Sequence, residues 1–133
     1  MVTLLVVAHS GLAREFCHAA SFILGEEPVP LVYIGAQAGE SREAIAKRLR
    51  TFFEGTTGDV LVLADLYGST HVNLCLPYLE CGHIEMISGF NLPLLLKAIT
   101  LKDKLSVSEL SKNLVTYGSE HVCLSGPSPE ETA

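Results

Sequence analysis

The chain has 133 residues, of which 48% are hydrophobic and 18% charged, a composition that excludes a disordered chain and suits one folded domain. Nine basic against fifteen acidic residues give a formal charge of −6, which argues against a nucleic-acid partner, because backbone binding draws on clustered Lys and Arg. The longest apolar runs, residues 4–8 and 92–96, fall far short of the ~20 residues a membrane-spanning helix needs, and the start carries no basic export signal, so a soluble, cytoplasmic domain is expected.

Residues 3–8 form a continuous apolar run, as in a strand buried on both faces. Ser10 is placed to cap a helix in which Leu12, Ala13, Phe16, Ala20 and Ile23 recur on one side and which Gly25 ends. Residues 31–34 read as a second strand and 35–40 as a small-residue loop. Ser41 opens a second helix carrying Ile45, Leu49, Phe52 and Phe53, stopped at 55–58. Residues 59–64 are a third strand with Asp65 at its carboxyl end, followed by a helix over 70–80 and a fourth strand over 84–88. Asn91 caps a fourth helix with Pro93 in its first turn, and Ser106 with Glu109 has the capping-box spacing of a fifth, which carries Leu110, Leu114 and Val115. Residues 121–124 read as a short last strand. The domain spans 1–125, and 126–133 is a loose tail.

Cys17, Cys75, Cys81 and Cys123 are dispersed, without a Cys-x-x-Cys pair, and read as small apolar residues packed inside the fold. His71 and Cys75 share a helix face, with Cys81 and His83 nearby, but these do not make a recognisable zinc set. No metal and no cofactor are expected. His18, His83 and His121 lack an acidic companion at a strand end and read as structural.

Alternating strands and helices make an α/β domain: a mostly parallel sheet with helices on both faces, of about four parallel strands plus the short C-terminal one. Such sheets bind ligands outside the carboxyl ends of the strands, where strand order reverses. The residues there are His9-Ser10-Gly11, residues 65–70, and Gly89-Phe90-Asn91. If the first and third strands are neighbours, His9 and Asp65 face each other. A carboxylate accepting from one imidazole nitrogen fixes the tautomer and leaves the other nitrogen free as a nucleophile. Gly68, Ser69 and Thr70 run into a helix start suited to an anion. A nucleophilic His, an orienting Asp and an anion cradle together point to phosphoryl transfer through a phosphohistidine.

These residues resemble the IIA component of the mannose-type branch of the bacterial phosphoenolpyruvate-dependent sugar phosphotransferase system. The resemblance covers roughly residues 1–124. It rests on Leu5-Val6-Val7-Ala8-His9-Ser10-Gly11, on Val60-Leu61-Val62-Leu63-Ala64-Asp65-Leu66-Tyr67-Gly68 with Asn73, and on Gly89-Phe90-Asn91-Leu92-Pro93-Leu94-Leu95. It implies that His9 takes a phosphoryl group from phospho-HPr and passes it to the IIB component, which serves the membrane components IIC and IID. Asp65 would occupy the position of the aspartate that hydrogen-bonds the phosphorylated histidine. Ser10, Gly68, Ser69 and Thr70 would border the phosphate, with Thr70 supplying a hydroxyl where the family usually has serine. The resemblance also implies a homodimer in which the last strand joins the neighbouring subunit's sheet. Where the family commonly reads Gly-Gly-Ser-Pro, this chain has Gly68-Ser69-Thr70-His71. His71 is read as an exposed first-turn residue in preference to a phosphate contact.

Tyr67 and Phe90 read equally as rings framing the crevice for a partner or as partly buried packing residues. Asn91 reads as a helix cap whose loop borders His9, and Arg14 as a solvated charge. With so few charges, recognition of HPr and IIB is expected to use an apolar patch around the crevice. Three alternatives share parts of the pattern. The phosphoryl-donor subunit of the dihydroxyacetone kinase system has a similar His-Ser after its first strand. A small cobalt or iron chelatase would need His71 as its second metal-facing histidine. A regulatory domain would keep the fold without transfer.

Overall fold

The computed structural model describes residues 1–127; most of the expected tail lies outside them. Four strands form one all-parallel sheet: β1 (Thr3–His9), β2 (Val32–Ala36), β3 (Val60–Ala64) and β4 (Ile84–Ser88), in the order β2-β1-β3-β4. Leu5 of β1 pairs with Val32 on one side and Val62 on the other, so the first and third strands are neighbours and strand order reverses between them. All five residues of β3 and five consecutive residues of β1 are buried. This is why both segments are unbroken apolar runs and not alternating ones.

Helices α1 (Leu12–Leu24), α4 (Leu92–Leu101) and α5 (Val107–Glu120) cover one face, joining Leu4, Val6, Leu61 and Leu63 in a single core. Helix α2 (Arg42–Gly55) and the short α3 (Thr70–Cys75) cover the other, over Leu5, Val7, Val60 and Val62. The alternation of these strand residues between the two cores follows from the period of two along a strand.

The helix signals of the sequence mostly operate as expected. Ser41 and Asn91 accept from the backbone N–H groups of Ala44 and Leu94, Ser106 and Glu109 form a reciprocal capping box, and Gly25 closes α1 with φ 67°. Ser10 does not cap α1. It adopts φ 49°, and Gly11 takes the cap position without a side-chain bond. The helix expected over 70–80 divides at Pro77: α3 ends at Cys75 and a 3-10 turn, Leu76–Tyr78, follows. Proline lacks the N–H that would continue the ladder, and the turn lays Tyr78 flat on Phe53, 4.3 Å between ring centroids.

The short last strand expected at 121–124 is not formed. His121 closes α5, residues 122–127 have no regular structure, and Val122 and Leu124 are exposed. A strand exists only by pairing, and among the described residues this segment pairs with no strand. Two of the cysteines depart from the expected packing: Cys17 and Cys75 are buried, with thiols pushed up by burial to about 11 and about 12, but Cys81 and Cys123 are exposed.

Glu85 ties β4 to α5. Its carboxylate accepts from the hydroxyls of Ser111 and Ser108 and from the Gly82 N–H. The Ser111 hydrogen bond leads the contacts that hold its pKa below the ordinary glutamate value, against the opposing effect of burial. A carboxyl depressed in the folded state stabilises above its unfolded pKa, ~4.3, and loses that contribution as pH falls through the folded value. Glu85→Gln should therefore lower the unfolding free energy by about 1–2 kcal/mol at neutral pH. The gap from the unaltered chain should close in acid below about pH 4, as read by urea unfolding across pH.

Candidate active site

The carboxyl ends of β1 and β3 place His9 and Asp65 in direct contact. The Asp65 Oδ2 atom accepts from the His9 backbone N–H at 2.8 Å and lies 2.7 Å from His9 Nδ1. Burial pushes the Asp65 carboxyl up. The His9 backbone N–H, then the rings of His71 and His9, outweigh it and bring the pKa down to about 2. An ionised carboxylate only accepts, so Nδ1 carries the hydrogen, and in the neutral ring Nε2 keeps the free electron pair. The His9 side chain is 54% exposed, whereas that of Asp65 is 11% exposed. A buried acceptor thus holds an accessible imidazole.

The second oxygen of Asp65 is held as well. Its Oδ1 lies 2.8 Å from Nε2 of His71, which also meets the Ser69 hydroxyl at 3.1 Å. His71 is 2% exposed, so its expected exposure is wrong. The turn at Gly68, with φ 88°, and the Ser69 hydroxyl donating to the Leu66 carbonyl direct α3 so that its first turn faces the sheet. The rings of His9 and His71 meet edge to face, 4.6 Å between centroids. One carboxylate is thus shared by two imidazoles.

An open cleft of about 570 Å³ is lined by His9 and His71. Gly68, Ser69, Thr70, Tyr67 and Leu66 form one wall; Gln37, Ala38, Glu40 and Arg42, from the loop after β2 and the start of α2, form the other. Tyr67 and Leu66 are exposed beside His9. Phe90 and Asn91 are not part of the cleft. Phe90 is buried against Phe16, and Asn91 caps α4 while its amide donates to the Gly118 carbonyl, joining α4 to α5. The strand-end reading missed Gln37 and Arg42 because it passed over the end of β2. The signal available was the Gly35–Glu40 loop itself, which the parallel order places beside His9.

A family model described as "PTS system fructose IIA component" matches residues 3–115. The chain belongs to the mannose-family EIIA components of the phosphotransferase system. It is 25% identical over 128 residues to the fructose-specific EIIA component of Bacillus subtilis (strain 168), covering 92% of this chain and 87% of that one. It is 26% identical over 119 residues to the sorbose-specific EIIA component of Lacticaseibacillus casei, covering 88% and 86%. The fold is that of the mannose/sorbose-specific IIA subunit from Enterococcus faecalis, with TM-score 0.84 at 22% identity over 95% of this chain and 96% of that one. Among the described residues of this EIIA component, no helix is long and apolar enough to cross a membrane.

The approach of the His9 loop to β2 depends on one glycine in this EIIA component. The Ser10 N–H donates to the Ala36 carbonyl at 2.7 Å, and a Cβ built on Gly35 would stand 2.2 Å from the Ser10 carbonyl oxygen. Arg48 anchors the same turn by donating to the Gly35 carbonyl and to Glu40. The nearest obstacle is backbone, which does not give way as the end of a flexible side chain can. Gly35→Ala should cost about 1–3 kcal/mol of stability and displace His9 from Asp65. Thermal unfolding reads the first effect, and the ring nitrogen NMR shifts of His9 read the second, moving toward a mixture of tautomers.

Proposed function

We propose that this EIIA component is a phosphoryl carrier that takes the group from phospho-HPr on Nε2 of His9 and delivers it to a histidine of the IIB component. The observation that carries this reading is the paired contact of Asp65 with the backbone and ring of His9, which leaves Nε2 as the unprotonated, outward nitrogen. In the accepting step the Nε2 electron pair forms a bond to phosphorus as the bond from phosphorus to the donor's histidine breaks. Nδ1 keeps its hydrogen throughout. The positive charge that develops on the His9 ring is met by the ionised Asp65, which is already in place and needs no reorganisation. Delivery to IIB reverses the sequence and returns His9 to its neutral form.

Ser10, Gly68, Ser69 and Thr70 border the phosphoryl oxygens in this reading. Arg42, which also lines the cleft, supplies a cation. Leu66 and Tyr67, exposed on the rim, offer the apolar patch on which HPr and IIB dock in turn. The exposed segment 122–127 suits addition to the sheet edge of a second copy, giving the homodimer. The fructose, sorbose and mannose names of the relatives belong to those proteins, so the substrate class here is a sugar taken up by the phosphotransferase system, with IIC and IID as indirect partners.

Mixing the chain with enzyme I, HPr and labelled phosphoenolpyruvate tests the carrier role. Label that is stable in base and lost in acid should reach the chain and be absent from His9→Ala; label persisting in that variant overturns the assignment. Asp65→Ala should keep the fold and slow transfer by about 10²-fold or more, because both the tautomer and the compensating charge are lost. Unchanged single-turnover rates would refute its orienting role.

A further inference from the structure

His9, Asp65 and His71 do more than share hydrogen bonds. Each offers one ligand atom, and these atoms all lie within 4.8 Å of one another. Among the described residues no other group of three or more His, Cys, Asp or Glu side chains converges in this way. Two imidazoles and one carboxylate suit a divalent first-row transition metal, and a three-residue set with an open further position is how such ions are held when they exchange ligands with solvent. His9 Nδ1 and His71 Nε2 stand 2.7 and 2.8 Å from the two carboxylate oxygens. Ligand atoms bound to a tetrahedral zinc at ~2.0–2.1 Å stand about 3.3 Å apart, so to admit the ion the contacts with the carboxylate must lengthen by about half an ångström while the widest separation in the set, within 4.8 Å, closes toward the same value. The two rings meet edge to face, at 81°, and so do not stack on one another. The half-exposed His9 ring supplies the entry path that a usable metal site needs. The His9 backbone N–H stays on Asp65 and keeps the carboxylate oriented.

We propose that His9, Asp65 and His71 form a binding site for a divalent transition-metal ion of the zinc class, and that metal and phosphoryl group compete for His9. The second half rests on the carrier reading; the first does not. Competition follows from the imidazole ring, which at neutrality has one hydrogen and one free electron pair on its two nitrogens. When Nδ1 gives its pair to the metal, its hydrogen moves to Nε2, and Nε2 no longer has a pair to attack phosphorus. His71 undergoes the matching exchange, binding through Nε2 with its hydrogen on Nδ1, so no proton need be released overall. In the phosphorylated carrier Nε2 is bonded to phosphorus and Nδ1 holds the hydrogen, so a metal must displace that proton to bind. By linkage, phosphorylation and metal weaken each other by the same factor. The carrier would thus be silenced by metal at the residue that makes it active.

The exposed thiols of Cys81 and Cys123 are the competing ligands that a test must separate. The full chain, stripped with EDTA, is titrated with Co²⁺ as a spectroscopic stand-in for zinc. One equivalent should bind with visible d–d bands and no thiolate-to-cobalt charge-transfer band, and paramagnetic NMR shifts should centre on the rings of His9 and His71. His71→Gln retains an N–H toward Asp65 but removes the ligand nitrogen, and should weaken binding by at least about 100-fold, more than loss of a supporting contact costs. One equivalent of Zn²⁺ should slow transfer from preformed phospho-HPr by at least about 10-fold, reversibly with EDTA. In His71→Gln, zinc should leave that variant's own rate unchanged. Absent d–d bands, a thiolate band, or unweakened binding by His71→Gln would overturn the site. Zinc bound with transfer at full rate would overturn the competition. Cobalt bound as expected, with no label on His9 with or without metal, would sink the carrier reading and leave the site standing.

Discussion

A single carboxylate, that of Asp65, fixes the geometry on which the rest of the site depends. It sits at the end of a strand whose five residues are all buried, where an unpaired charge would be severely penalised. Three donors compensate it: the backbone N–H and ring of His9 on one oxygen, and the ring of His71 on the other. The ladder continues through the same point, since the Asp65 N–H donates to the Val7 carbonyl. Sheet pairing and side-chain pairing therefore specify the same juxtaposition twice. In the proposed carrier, a nucleophile positioned by a strand end and a buried charge would lose little freedom when a partner docks, which is the condition under which orientation contributes most to rate.

The flanking loops show what that positioning demands of the backbone. Ser10 is held at φ 49°, a left-handed conformation that L residues other than Asn and Asp rarely adopt. It is kept there by its N–H on Ala36 and by the close approach of its carbonyl to Gly35. Strain of this kind persists only where surrounding contacts over-determine it, and Arg48, bonded to both Glu40 and the Gly35 carbonyl, supplies that constraint from α2. The second strand, though at the sheet edge, thus takes part in the site by holding the turn that aims His9.

What could be read from the sequence follows the range of the interactions involved. The parallel sheet and its two covered faces were legible because they are written as apolar runs and short-range caps: residues 3–8 and 60–64, Gly25, Asn91, Ser106 with Glu109. His9 and Asp65 were legible as strand-end polar residues, and their meeting needed only the assumption that the first and third strands are adjacent. His71 was misread because its direction depends on a positive φ at Gly68 and on the Ser69 hydroxyl turning back to Leu66, neither of which has a periodic signature. Ser10 was misread as a cap because a serine before a helix is normally one; here β2 draws its backbone away. Phe90 and Asn91 lie at a strand end yet pack inward, since β4 is at the far edge of the sheet from the cleft. Residues 121–124 have the composition of a strand, but an edge to pair with is a property of the assembly and not of the segment.

The two imidazoles on Asp65 are unequal, and that inequality decides what the site can do. The His9 side chain is 54% exposed and that of His71 is 2% exposed, so in the proposed carrier role only His9 would meet the reacting group of a partner protein. Toward His9, His71 acts through the carboxylate, by donating to its second oxygen. A proline at this position, which the family commonly carries, has no such donor, and a carboxylate with one oxygen unpaired would have more freedom to rotate away from His9. The buried histidine therefore tightens the grip on the His9 tautomer. The same placement brings a second nitrogen ligand within reach of a cation. In the proposed roles both consequences pass through one proton, the one on Nδ1 of His9: while it stays on Asp65 the outer nitrogen would attack phosphorus, and whatever displaces it to the outer nitrogen would switch that reactivity off.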